Sequence, residues 1–287
     1  MKKRLRLHTT LDTCLGHDLP QILQSVGSRR ETLNWLCAGA AVATGLVACG
    51  GGDGGASNSG STTSSTSTSG CSVIPSETAG PYPGDGSNSS GGTIANVLIQ
   101  SGVVRSDIRS SFGGSTTTAP GVGLTVTLKL VNTNASCANL AGNAIYLWHC
   151  DRDGNYSMYS SGVTSENYLR GVQVTDANGE VTFTTIFPGC YSGRWPHLHF
   201  EVYSSLTAAT STPPSDQVKT SQLALPSAAC NAVYATTGYS ASVSNFAAAS
   251  LASDNVFGND SGVLQLANLS GSPSAGYSAN LQVGIAA

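Results

Sequence analysis

Beyond Cys49 this chain of 287 residues holds three histidines, His149, His197 and His199, and two of them stand in His197-Leu198-His199. On an extended strand, residues i and i+2 face the same way. Both imidazoles therefore project together, about 7 Å apart at the backbone by the strand rise, and a metal ion between them is geometrically reasonable. Leu198 must then point into the opposite core. Two hydrogen-bonded histidines on a solvent face would give the same spacing, so the pair alone does not establish a site. Its surroundings add phenols and a cation. Upstream lie Pro188-Gly-Cys-Tyr191-Ser-Gly-Arg194-Trp-Pro196 and, further back, Trp148-His-Cys-Asp-Arg-Asp-Gly-Asn-Tyr156-Ser157.

Strands must position these groups. Residues 123–131 alternate apolar and polar side chains, the period-2 mark of a half-buried strand. Ala144-Ile-Tyr-Leu-Trp148 is almost wholly apolar and fits a central strand. Residues 172–175 and 181–186 read as strands joined by Asp176-Ala-Asn-Gly179, a hairpin signal. His197 to Tyr203 is another strand. Past Ser204, residues 216–225 and 227–234 are expected as short helices, and 263–266 and 279–285 as closing strands. Short strands punctuated by turns predict a mostly β protein, an antiparallel β-sandwich with short helices in its C-terminal part. No repeat of 20–50 residues is present.

At this point the sequence resembles the intradiol ring-cleavage dioxygenases, the family of catechol 1,2- and protocatechuate 3,4-dioxygenases. The motifs are Trp148…Gly154-Asn-Tyr156, Thr175-Asp-Ala-Asn-Gly179, Thr185-Ile-Phe-Pro-Gly-Cys-Tyr191 and Arg194-Trp-Pro-His197-Leu-His199. Glu77-Thr-Ala-Gly-Pro-Tyr-Pro83 resembles a segment lining the substrate cavity in some members, so the resemblance runs roughly from Ser76 to Tyr203. It implies a sandwich of that family's core type and one Fe(III) per chain, bound by Tyr156, Tyr191, His197 and His199. Tyr191 and His199 match the axial ligands, Tyr156 and His197 the equatorial ones. It also implies a catechol-type substrate and O2, with cleavage between the two hydroxylated carbons to a muconate-type diacid. Displaced Tyr191 would accept a substrate proton, and Arg194 would stabilise negative charge on the ring. Tyr82 and Trp195 are candidate aromatic walls.

The donor chemistry agrees independently. Phenolate is a hard donor, imidazole suits iron, and two phenolates offset two of three ferric charges. A 2-His-1-carboxylate site would need an acid instead. Glu201, on the face of His199, is the one the spacing permits, although the resemblance does not support it. His149 lies outside the ligand register and is expected to pack or hydrogen-bond beside the site. A zinc or copper site built on His149, His197 and His199 is the rival metal reading.

Charge is unevenly spread. Residues 1–49 carry six of thirteen Lys/Arg and three of sixteen Asp/Glu, a balance of +3, leaving −6 for the rest. A mildly acidic body argues against nucleic-acid binding. Only 10% of residues are charged, which suits a turn-rich β protein better than long amphipathic helices. Ser28-Arg29-Arg30-Glu31-Thr32-Leu33 is a twin-arginine pattern, followed by a short apolar run and Leu46-Val47-Ala48-Cys49, a lipobox-like end. Residues 1–48 are therefore expected as an export signal, Cys49 as the lipidated N-terminus, 49–70 as a Gly/Ser-rich tether and 71–287 as the catalytic domain. Translation starting near Val26 would shorten the long leader. The expected address is the periplasm or cell envelope, with membrane attachment only through the lipid. The competing functional reading is an exported β-sandwich binding lipoprotein without catalysis. Five cysteines remain after Cys49. Cys137–Cys150 is the favoured disulfide, and a thiol at Cys190 beside ferric iron would be an oxidation hazard, which favours its being bridged.

Overall fold

The computed structural model describes residues 71–287, so the leader, the twin arginine, Cys49 and the tether lie outside the described residues. Along the chain run β1 (Asp85–Ser90), β2 (Thr93–Asn96), β3 (Gly123–Asn132), β4 (Ala138–Asn139), β5 (Ala144–Trp148), β6 (Arg170–Val174), β7 (Glu180–Ile186), β8 (His197–Tyr203), α1 (Leu206–Ala209), β9 (Gln217–Ala224), α2 (Ser227–Tyr234), α3 (Ser240–Ala247), β10 (Asn268–Ser272) and β11 (Gly276–Ile285). β1 and β2 form a two-stranded sheet of their own; of the two larger sheets, one has the order β10-β11-β3-β4, with β7 also paired to β3, and the other the order β6-β5-β8-β9.

The alternation in β3 drives the sandwich. Leu124, Val126, Leu128 and Leu130 turn inward against Ile145 and Leu147 of β5 and Leu198, Phe200 and Val202 of β8. Burying each such side chain is worth about 1.5–3 kcal/mol. β5 is buried on both faces: Tyr146 and Trp148 belong to a second cluster with Tyr156 and Tyr203. The outer face of β5 and β8 is thus a covered layer, and His197 and His199 stand in it.

Four expectations need correction. The turn at Asp176 forms, with Gly179 N–H donating to the Asp176 carbonyl at 2.9 Å and Gly179 at φ +74°. Yet β6 pairs with β5 and β7 with β3, in different sheets. The turn reverses the chain locally but cannot hold a two-strand ladder, because the free edge of β6 is occupied by residues 103–105. Residues 217–224 form a strand, not a helix, and extend β8; a buried edge needed a partner. Residues 263–266 make no strand; Leu266 forms a single bridge to Ala224, and Val263 is exposed. The sheets are also not wholly antiparallel, since β11 runs parallel to β3.

Cysteine pairing differs as well. Cys71 is bonded to Cys137, while Cys150, Cys190 and Cys230 are buried free thiols. Cys150 packs with Trp148 and Tyr156, whereas Cys137 follows β3, where Ile74 joins the edge of β11 by donating to the Gly284 carbonyl. The disulfide closes a loop of 66 residues, so reducing it should lower stability by up to about 4 kcal/mol. Urea unfolding with and without reductant measures this; coincident midpoints would show that the bond does not constrain the domain.

Candidate metal centre

β8 presents His197 and His199 on one face, with Nε2 atoms 3.1 Å apart. His199 sits opposite Trp148 of β5 and Gln222 of β9 in register. Its ring stacks on Trp148 at 4.9 Å and 9°. His197 Nδ1 donates to the Trp195 carbonyl, which leaves Nε2 without a proton and facing inward.

The phenols arrive from two loops. After β5, Asp151 Oδ1 accepts from the backbone N–H of Asp153 and Asn155, and Tyr156 N–H donates to Ser160 Oγ. That tight loop aims Tyr156 Oη at His199 Nε2, 3.2 Å away. Tyr191 enters from the loop between β7 and β8. Its Oη is 3.2 Å from His197 Nε2 and 3.4 Å from Tyr156 Oη. Gly154, at φ +88°, takes a backbone conformation that side chains disfavour, and a Cβ there would stand a tight 3.2 Å from Tyr191 Cβ.

Four donor atoms therefore converge with neighbouring separations of 3.1–3.4 Å. Metal–N and metal–O bonds of roughly 2.0–2.2 Å place adjacent ligands about 3 Å apart, so the tips fit one ion. Burial pushes both imidazoles well below their ordinary pKa, so they are neutral Lewis bases. Burial also pushes the phenols up, Tyr191 to about 12 and Tyr156 well above its ordinary value. Phenolate at neutral pH thus requires a bound cation, and a highly charged one drives it best. Among the described residues, no group of three or more His, Cys, Asp or Glu could hold a metal; a four-donor centre at this cluster would include the two phenols.

That finding also removes the three-histidine rival. His149 is buried elsewhere: Nδ1 donates to the Cys150 carbonyl at 2.7 Å and Nε2 accepts from Thr185 at 2.6 Å. Glu201 accepts from the Tyr203 hydroxyl, and burial raises its carboxyl to about 8, which keeps it protonated rather than ligating. Burial lowers His149 from 6.5 to about 4. Below pH 6.5 the unfolded chain takes up a proton that folded His149 refuses. Its contribution is therefore present above 6.5 and lost as pH falls toward 4, by up to about 1.4 kcal/mol per pH unit. Urea midpoints at pH 7 and pH 5 should differ less in His149→Gln than in the parent; an equal difference would place the acid sensitivity in other groups.

Arg194 borders the cluster, with Nη1 3.4 Å from His197 Nε2. Its Nε donates to Asp254 Oδ2 at 2.9 Å and Nη2 to Gln222 Oε1 at 2.7 Å. Asp254 additionally accepts the N–H groups of Trp195, Val256 and Phe257. Residues 77–83 cross over the donors as a strap. Gly80, at φ +72°, lies where a Cβ would be 3.4 Å from His199 Cε1. The Tyr82 ring lies 5.2 Å from that of Tyr156. Trp195 instead packs on Phe246, and its Nε1 donates to the Leu225 carbonyl. Arg170 fixes the strap from below. Its five N–H groups all donate, to Ser157 Oγ and carbonyl, the Tyr82 and Pro83 carbonyls and Tyr146 Oη.

Asp254, Gln222 and Arg170 carry no local motif, and sequence reasoning missed them. A groove of about 830 Å³ is lined by Phe112, Tyr159 and Glu166 among others and contains none of the four donors. Tyr191 and Arg194 are partly exposed, whereas Tyr156, His197 and His199 are buried.

A family model described as Dioxygenase matches residues 106–209. No curated protein matches the chain. An intradiol ring-cleavage dioxygenase from Tetranychus urticae is 26% identical with a TM-score of 0.58, over 75% of this chain and 95% of that one. A dioxygenase designated Tetur07g02040 is 25% identical with a TM-score of 0.56, over 75% and 94%. The dioxygenase domain of a carbohydrate-binding fusion from Streptomyces sp. SirexAA-E is 24% identical with a TM-score of 0.46, over 75% and 98%. The family match and the first two structural likenesses support membership of this chain in the intradiol ring-cleavage dioxygenase superfamily.

Proposed function

We propose that this chain is a non-haem ferric dioxygenase that cleaves catechol-type diols between their hydroxylated carbons, incorporating both atoms of O2 into a muconate-type diacid. The observation that carries this reading is the convergence of Tyr156, Tyr191, His197 and His199 within 3.1–3.4 Å. Superfamily membership supports dioxygenase activity in general. Fe(III) held there would supply Lewis-acid activation of a chelated catecholate toward O2.

The residues around it have separable tasks. His197 and His199 are held neutral by burial. Tyr191, the least buried of the four donors, is placed to receive a substrate proton at Oη as it swings aside. Arg194, fixed by Asp254 and Gln222, presents a guanidinium to negative charge on the ring. The strap and the Tyr82 ring narrow the space above His199 and Tyr156 and restrict water.

The test is colour and oxygen uptake. The purified holoprotein should be burgundy to red, contain one iron per chain and consume O2 with a catechol. Tyr191→Phe should weaken the visible band; unchanged metal content, colour and activity in that variant would overturn the reading.

We propose further that residues 1–48 direct export, that Cys49 carries the lipid and that 49–70 tether the domain at the cell envelope. Cys49→Ser should release the protein from the membrane fraction; retention there would contradict a lipid anchor.

A further inference from the structure

Arg170 opens β6 with its side chain only 1% exposed, and none of the ion pairs among the described residues includes it. Burying a guanidinium against neutral oxygens alone is costly, and an apolar side chain would fill the same space without that penalty. What an apolar side chain lacks is a planar fork of donors that can grip two segments at once.

The two segments it grips both belong to the site. On one side, Nε donates to Ser157 Oγ at 3.1 Å and Nη2 to the Ser157 carbonyl at 3.0 Å, one residue along the chain from the donor Tyr156. On the other, Nη2 donates to the Tyr82 carbonyl at 2.9 Å and Nη1 to the Pro83 carbonyl at 2.7 Å. Tyr146 strengthens this second grip: its Oη accepts from Nη1 at 3.0 Å and donates to the same Pro83 carbonyl at 2.7 Å. The strap comes so near that a Cβ on Gly84 would stand 2.8 Å from Nη1. The rings carried by the two segments then meet. That of Tyr82 lies 5.2 Å from Tyr156 and 5.1 Å from Tyr159, and the guanidinium sits 5.5 Å from the Tyr159 ring. The loop of a donor phenol and the strap of the aromatic wall thus share one guanidinium.

We infer that Arg170 is a positioning residue for the reaction: acting through Ser157 and the strap backbone, it sets the Tyr156 phenol toward the ion and the Tyr82 ring toward the substrate, and couples the two. This rests on the ferric dioxygenase reading above. Lysine at this position would keep the charge but place all its donors on one atom, so it could not hold both segments in register.

The experiment uses the full chain and follows iron Kd, the visible band, and KM and kcat for catechol by oxygen uptake. Ser157→Ala removes a bond on the donor side only, and should shift the band and weaken iron binding while KM stays near that of the parent. Tyr146→Phe removes bonds on the strap side only, and should raise KM with the band in place. Arg170→Lys should do both, with iron Kd raised about 10–100-fold and KM at least about tenfold. Tyr82→Ala should raise KM in the parent but add little in Arg170→Lys, so that the double variant falls short of the product of the single effects by at least about fivefold. Variants that lower Tm yet keep the band and KM of the parent would show a merely structural role and overturn the inference alone. If Arg170→Lys does not fold, the two milder variants decide: each moving its own readout supports the coupling, and neither doing so overturns it. A parent protein without the visible band, or without oxygen uptake, would overturn the ferric reading and this inference with it.

Discussion

Replacing His199 with alanine should abolish the visible absorption and bound iron together, and with them oxygen uptake. His199 Nε2 is 3.1 Å from His197 Nε2 and 3.2 Å from Tyr156 Oη, so it sits at the middle of the donor set. Loss of a partner that merely orients a ligand costs about 10–100-fold in metal affinity, and loss of the ligand itself should exceed the upper figure. Uptake should fall at least about a hundredfold, the size of effect seen when one preorganised charge-stabilising group is removed. The sandwich should survive, because the core between the sheets does not include this side chain. The comparison is therefore of iron content and colour at matched circular dichroism. A His199→Ala protein that keeps both would show that the four tips do not share an ion.

The second large effect is expected at Asp254. Its carboxylate receives Arg194 Nε and the N–H groups of Trp195, Val256 and Phe257. Asp254→Ala strands a largely buried guanidinium and leaves three backbone donors without an acceptor. Breaking one side of such a pair costs about 3–5 kcal/mol, which for a domain of this size is a fall in Tm of roughly 10 °C. Activity should drop too, since Arg194 loses the partner that aims it at the ring. Asp254→Asn retains some hydrogen bonding but not the charge, and should fall between parent and alanine variant in both Tm and kcat/KM. If Asp254→Ala melts with the parent, Arg194 is solvated well enough not to need its counter-ion, and the positioning argument fails.

The donors were legible because they depend on short-range geometry. An HxH step on a strand commits both rings to one face, and Leu198 to the other, wherever the strand finally lies. The apolar run ending at Trp148 likewise announced a central strand, which is buried on both faces, and the period-2 run in β3 one that buries a single face. Tyr156 and Tyr191 carried no such geometric signal, and they came into view through motif resemblance; the structure brings both to the histidines. The leader and the lipid-anchor pattern are equally a matter of sequence, and fall outside the described residues.

What the tertiary structure decided is everything that depends on which strand lies beside which. Asp254 and Gln222 reach Arg194 across 60 and 28 residues, and Arg170 reaches the strap across 87 or 88. No spacing rule links such positions, because side-chain hydrogen bonds add too little local bias to mark a segment before it docks. Cys71 meets Cys137 only because the N-terminal segment lies along β11, itself paired to β3. The Asp176 turn splits its flanking strands between sheets for the same reason: turn residues set a local reversal, while competition for hydrogen-bonding edges assigns each strand its partner.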